Sequence, residues 1–369
     1  MGILRFILAL TVALFHFGGV FGLQPMGGWI AVEGFFIISG FYMSLVLSRR
    51  YPATREGTKA FYLNRYLRLY PAYLTAVVLM VIALILIGGP AASTDSIADL
   101  TQRVPEMSFG ARLYLAIANF TMFGTDLTGF LAVSGKDLVL TIDGPGAAHP
   151  AYRLMFLPQG WTLGLELAFY LCAPFLLRMK PRAIIGFAAA SFVLRIVLAR
   201  VFHLPDAPWI HAFFPSILFL FLLGALAQRF SFGAVLLRKK SWVVGAWAGM
   251  VAFILFFKVL PGSDSLKYWL FLALMTVTIH PIFELSRNIK WDSLLGQLSY
   301  PLYLSHLLTQ YVLVRTFGPV DASLKIVASV VLAAALYLLV DRNLDVLRTR
   351  VRQGSRAWPL PEKIWAVFR

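Results

Sequence analysis

Charge is what this sequence has least of. Only 14% of its 369 residues are Asp, Glu, Lys or Arg, while 59% are hydrophobic; a soluble domain carries about a quarter charged residues. Mean hydropathy is +0.77. So little charge excludes a water-soluble globular chain, because nothing would supply the polar shell around a core of this size. Acidic residues are the scarcest, 17 against 33 Lys and Arg, for a net charge of +16. Cys172 is the single cysteine, which excludes an intrachain disulfide and any cysteine-rich metal site. There is no Walker loop, no Rossmann glycine fingerprint and no His-Glu-x-x-His pair, so nucleotide hydrolysis, dinucleotide redox chemistry and zinc hydrolysis lose their usual signatures. No metal is expected.

What is there is apolar runs. A helix crossing about 30 Å of hydrocarbon needs roughly 20 apolar residues. Ten runs approach that length, at 3-23, 28-47, 69-89, 160-179, 183-201, 212-229, 242-260, 268-285, 296-315 and 323-341. The expected fold is an all-α polytopic transmembrane helical bundle of about ten helices. The first run has no basic leader and no small-residue cleavage site, so it is expected to be a retained helix rather than a signal peptide. With both termini placed in the cytoplasm, 23 of the 33 Lys and Arg fall in cytoplasmic segments, as the positive-inside rule requires. That bias accounts for the high pI without nucleic acid, and the basic loops are expected to attract anionic membrane lipids. Residues 90-158 form one long polar segment on the opposite side, within which Ala111 to Phe123 is apolar but too short to span, suiting a helix that lies on or dips into the membrane. Residues 1-345 read as the membrane domain and 346-369 as a basic cytoplasmic tail.

An ionisable side chain in hydrocarbon costs at least about 2.5 kcal/mol, so each one needs a reason. Arg5 and His16 are eleven residues apart, close to three helical turns, and share one helix face. His16 would sit about half-way across the membrane as general base, nucleophile or simple polar bundle contact. Glu33 opens the run Glu33-Gly34-Phe35-Phe36-Ile37-Ile38-Ser39-Gly40-Phe41; its carboxylate either orients His16 as in a triad, or lies near the extracytoplasmic interface, hydrated or paired with an arginine. Gly34 and Gly40 read as small packing residues. Arg65 and Arg68, three apart before Leu69-Tyr70-Pro71, face one way and suit either phosphate groups or headgroup anchoring. Trp161 is a natural interfacial aromatic, and Thr162 and Glu166, four apart, suggest a polar notch open to the long loop. His306, in Ser299-Tyr300-Pro301-Leu302-Tyr303-Leu304-Ser305-His306, is a second site residue or an interhelical bond.

In this order and spacing, the Leu4-Arg5 to Leu14-Phe15-His16 pair, the Glu33 to Phe41 run, Arg65 to Pro71, Trp161-Thr162 with Glu166 and Phe169-Tyr170, and Ser299-Tyr300 to His306 resemble the acyltransferase-3 family of integral membrane O-acyltransferases. The resemblance implies that His16 handles acyl transfer and Arg5 supports it. It also makes Arg65 and Arg68 contacts for the phosphates of acetyl-CoA or another acyl-CoA, and it implies an acceptor sugar at the extracytoplasmic face. Ser39, Trp161, Thr162, Glu166 and His306 are the expected substrate-side residues. Two departures stand out: Asp341-Arg342-Asn343 replaces the family's usual Glu-x-Pro at the end of the last span, and no soluble hydrolase-like domain follows, so a single-module enzyme is expected.

The expected activity is transfer of an acetyl or other short acyl group to a hydroxyl of a surface polysaccharide or lipid-linked sugar, in a bacterial inner membrane. His16 would either form an acyl-imidazole or deprotonate the acceptor hydroxyl. Two alternatives use the same residues: a proton-coupled transporter, or a non-catalytic partner in polysaccharide assembly. No pair of interrupted helices in matching halves favours the transporter.

Overall fold

A computed structural model describes residues 1–20, 22, 25–88, 103–234 and 239–354. The end of the first expected span, the first part of the 90-158 loop and the tail with Pro359 and Pro361 lie outside the described residues. Every one of the ten apolar runs falls on a helix. They are α1 (Gly2–Phe17), α2 (Gly28–Arg49), α3 (Arg55–Ile87), α5 (Trp161–Leu176), α6 (Pro181–Arg200), α7 (Phe214–Arg229), α8 (Lys240–Phe256), α9 (Asp264–Ser286), α10 (Lys290–Phe317) and α11 (Ala322–Leu336), with α4 (Phe109–Thr121) in the long loop and α12 (Arg342–Gly354) after the last run. Among the described residues, five helices are long and apolar enough to cross a membrane: α2, α3, α6, α9 and the continuous stretch Ala322–Val351; α1, α7 and α8 are apolar but shorter. The molecule is an all-α helical bundle and an integral membrane protein. Its outer surface carries Ile85, Leu86, Val193, Val331 and Leu339 exposed, an apolar exterior that only lipid can solvate.

Two of the boundaries that differ from the sequence expectation bear on the site. α1 stops at Phe17 because Gly18 adopts φ 88° and donates its N–H to Leu14 O, a left-handed cap that glycine adopts without strain. His16 therefore sits in the last turn of α1 and not in the middle of a longer helix. α3 begins fourteen residues before the expected run, since Thr54 caps it by accepting from Gly57 N at 3.1 Å and Glu56 complements the first turn. Arg65 and Arg68 are thus held inside a rigid helix.

One end of the bundle gathers the end of α2, the start of α3 and the end of α5, where Arg178 Nη2 donates to Pro52 O at 2.9 Å, and the α5–α6 turn meets the end of α7 through Arg229 Nη1 to Met179 O at 2.9 Å. This is the end that the charge bias assigns to the cytoplasm. α2 and α7 cross in backbone contact: a Cβ on Gly40 would lie 1.8 Å from Phe221 O, and one on Gly224 1.8 Å from Ile37 O. The small-residue reading of Gly40 is the geometry seen here. α1 and α10 approach as closely at Gly2 and Gly296. Gly40→Ala is expected to cost about 1–3 kcal/mol through forced separation, read as a lower melting temperature in detergent. Gly249→Ala, where the new Cβ meets nothing within 4 Å, should leave it unchanged.

The 103–160 segment carries the sole strands among the described residues, a hairpin of β1 (Leu131–Ser134) and β2 (Asp137–Leu140), with Leu131 opposite Leu140 and Ser134 opposite Asp137. Strands this short give no periodic signal, and the sequence did not announce them. The segment is fastened down: Thr125 Oγ1 donates to Gly160 O at 2.8 Å, Asn119 Nδ2 to Leu154 O at 3.1 Å, and Trp209 Nε1 to Ile142 O at 2.8 Å. α4 buries Ala111, Leu115 and Ala118 and exposes Phe109, Leu113, Ile117 and Phe120, a helical stripe of the kind expected of an interfacial helix.

Candidate active site

Between α1, α2, α3, α5, α10 and α12 lies a cavity of about 690 Å³. Its mouth is at the basic end, where Gly2, Arg49, Arg50, Arg287 and Asp292 line it. Asp292 there caps α1, accepting from Gly2 N at 2.7 Å and Ile3 N at 2.9 Å. The wall holds seven arginines (Arg5, Arg49, Arg50, Arg65, Arg68, Arg287 and Arg348) against three acidic residues, Glu166, Asp292 and Asp345. Arg5 makes no ion pair among the described residues. Arg65 Nη2 donates to the neutral Asn64 Oδ1 at 2.9 Å, and its Nε is buried without a partner among the described residues. Arg68 lies 3.3 Å from Asp341 Oδ2 and over the Tyr300 ring. A concave, low-dielectric wall with this excess of guanidinium attracts a polyanion.

Deeper in, Ser39 Oγ donates to Glu166 Oε1 at 2.9 Å, and Tyr170 donates to the same oxygen. Above them Thr162 Oγ1 and Tyr303 OH are 2.8 Å apart, and Tyr303 OH donates to Gln159 O at 2.9 Å. Thr162 and Glu166 do share a face, but that face lines the arginine cavity and not a notch toward the long loop. The reason is rotational: Gly164 sits against Thr125 and Asp126, so the loop occupies the other side of α5. Trp161 opens α5 half-buried and does not line the cavity.

His16 does not line the cavity either. Its ring centroid is 5.2 Å from that of His306, and His306 is 5.9 Å from Tyr303. His306 is fully buried, with Nδ1 2.7 Å from Tyr303 O. A carbonyl can only accept, so Nδ1 carries the proton and Nε2 presents a lone pair. That Nε2 has no hydrogen-bond partner among the described residues, and Gln159 Oε1 and Ser305 Oγ nearby have none. Buried polar atoms left open in a native interior call for an ordered water, an ion or a functional role.

Glu33 is elsewhere. Its Oε1 is 2.8 Å from Arg195 Nη2 and 3.2 Å from His211 Nδ1, and Tyr268 OH donates to its Oε2 at 2.5 Å. Arg195 also donates to Ile210 O and to Tyr268 OH, both at 2.9 Å. The expectation that Glu33 orients His16 is therefore corrected: no hydrogen bond joins them among the described residues, and the carboxylate is saturated by a buried cluster tying α2, α6, α9 and the segment before α7 together. Arg195, inside the fifth apolar run, is the other half of that ion pair. Sequence reasoning missed His211 and Tyr268 because neither lies at the centre of an apolar run.

With this geometry in place, the comparisons with known proteins decide the family. A family model described as an acyltransferase domain matches residues 1–341. The chain belongs to that acyltransferase family. A protein of Aquifex aeolicus (strain VF5), described as uncharacterized, is 22% identical over 160 residues, 42% of this chain and 72% of that protein. No solved structure matches the chain. The match to this acyltransferase family runs from α1 to Asp341 and so spans both ends of the cavity.

Proposed function

We propose that this membrane acyltransferase moves an acetyl or other short acyl group from acyl-CoA, bound from the cytoplasmic side, to a hydroxyl of a surface glycan or lipid-linked sugar on the far side. The membrane is a bacterial inner membrane, crossed ten times with both ends of the chain cytoplasmic. The observation that carries the reading is the seven-arginine cavity that opens at the basic end and is lined further in by Tyr303, whose ring meets His306, which in turn meets His16. Arg5 and His16 are separated by about 16 Å of helix, a span that a pantetheine arm bridges between phosphates at the mouth and a thioester at the inner end.

In the transfer the thioester C–S bond breaks and a C–O ester bond forms; the hydroxyl proton leaves the acceptor and ends on the thiolate sulfur. His16 is the group placed to carry that proton. His306, whose ring packs beside that of His16, takes the orienting role that was one of the two alternatives for Glu33. Tyr303 and Thr162 lie between the donor cavity and His16, so their contact opens for the thioester to pass.

The test uses sealed inside-out membrane vesicles with extracted surface glycan trapped within. Acetyl-CoA labelled in the acetyl group and supplied outside should label the glycan. Labelling only when the donor is trapped with the glycan, or no labelling at all, would contradict the sidedness or the reaction.

A further inference from the structure

Away from its mouth, the cavity is lined by two hydroxyls that have more hydrogen-bond contacts than protons. Thr162, in the first turn of α5, and Tyr303, on α10, are buried side chains of the cavity wall. Their oxygens are 2.8 Å apart, and both reach one carbonyl: Thr162 Oγ1 is 3.1 Å and Tyr303 OH 2.9 Å from Gln159 O. Two protons cannot serve three contacts, so one of the three is always without a proton. Gln159 O also receives the backbone N–H of Trp161 and stays answered whichever way the hydroxyls turn. Rotating the Tyr303 O–H off that carbonyl therefore strands no buried acceptor, and the Thr162 proton can turn onto the Tyr303 oxygen. Ser39 and Tyr170, also on the wall, lack this freedom: both donate to the Glu166 carboxylate, a charged acceptor that holds its donors about twice as strongly.

We infer that Tyr303 is the hydrogen-bond donor to the thioester carbonyl oxygen during transfer, with Thr162 positioning it. The assignment rests on the acyl-CoA reading above. When the nucleophile adds to the carbonyl carbon, the C=O π pair moves onto the carbonyl oxygen; when the tetrahedral species collapses, that pair returns, the C–S bond breaks, and the thiolate takes the proton carried by His16. The negative charge that develops on the oxygen needs a donor already in place beside it. The arginines are set back toward the mouth: Arg5 is about three helical turns from His16, and Arg68 lies over Tyr300, one turn of α10 before Tyr303. Tyr303 is beside the histidines, its ring centroid 5.9 Å from that of His306, and it meets Phe35 of the cavity wall at 6.4 Å. Its proton stays on the phenol throughout. Only the acceptor changes, from Gln159 O to the oxyanion, while Thr162 donates to the Tyr303 oxygen and polarises its O–H bond.

The experiment compares wild type, Tyr303→Phe, Thr162→Val and Thr162→Ser as full chains in detergent, with extracted surface glycan as acceptor. Two donors are used: acetyl-CoA, and its dithio analogue with sulfur in place of the carbonyl oxygen. Tyr303→Phe keeps the ring contacts and should lower kcat by about a hundred- to a thousandfold, the worth of one oxyanion donor, while KM for acetyl-CoA stays within about threefold, as for a contact made only in the transition state. Sulfur accepts hydrogen bonds poorly, so the rate ratio between the two donors should fall in Tyr303→Phe; a tyrosine that only holds helices together would leave that ratio unchanged. Thr162→Val should lower kcat roughly three- to tenfold, the worth of one neutral hydrogen bond, and Thr162→Ser should match wild type. If Tyr303→Phe does not fold, the threonine pair carries the comparison, with equal rates in the valine and serine variants counting against the assignment. A loss below about tenfold in Tyr303→Phe, or a donor ratio that no variant moves, overturns the assignment and leaves the acyl-CoA reading standing. No turnover of acetyl-CoA by wild type overturns both.

Discussion

His16→Ala is expected to slow acyl transfer by about a hundred- to ten-thousandfold, the usual contribution of a positioned general acid or base, at unchanged protein level. The expectation follows from where the ring sits. His16 is in the last turn of α1, beyond the cavity, and packs only against Phe15 and His306 among the described rings. It holds up no buried network, so its removal should leave the bundle intact, and the fold and the chemistry can be read apart. His306→Gln, which keeps an acceptor beside His16, should lose less activity than His306→Ala. Rates measured with labelled acetyl-CoA at matched protein amounts check both. A loss below about tenfold in His16→Ala would remove the histidine from the proton path, since general acid–base groups seldom contribute so little.

Arg195→Met is expected to destabilise the protein by about 3–5 kcal/mol, because it leaves the Glu33 carboxylate buried with no opposite charge. Both side chains are at most 5% exposed, so water cannot replace the lost partner. The double variant Glu33→Leu, Arg195→Met should recover most of the loss, as buried ion pairs exchanged for apolar groups usually do. Thermal unfolding in detergent measures the stability of both variants, and transfer activity of the folded double variant measures the role of Glu33. Activity retained identifies the cluster as a strut between helices; activity lost in a well-folded double variant would put Glu33 back into the chemistry.

Much of the architecture was legible because hydrocarbon imposes a length on apolar runs, and all ten runs proved to be helical. The exceptions have local causes. A left-handed glycine at Gly18 ended α1 early, and a threonine cap at Thr54 with charged but helix-compatible residues behind it lengthened α3. The site was half legible. Arg5, Arg65, Arg68, Ser39, Thr162 and Glu166 were singled out one helix at a time, and the structure brings them into one cavity. Of the two roles open to Glu33 the structure shows the pairing with an arginine; the sequence could not choose, because adjacency along the chain says which helices neighbour each other, not how each is rotated about its axis. Arg348 was invisible for a related reason: in a basic tail one arginine looks like any other, and only the contact of α12 with Asn64 and Asp341 distinguishes it.

The central claim is that the cavity receives acyl-CoA and the protein consumes it. Free thiol release from acetyl-CoA should be followed in membranes carrying wild type or His16→Ala, with and without a pool of extracted surface glycans. Thiol release that requires both wild-type protein and the glycan pool is the predicted result; equal release from wild-type and His16→Ala membranes, or none from either, would contradict it.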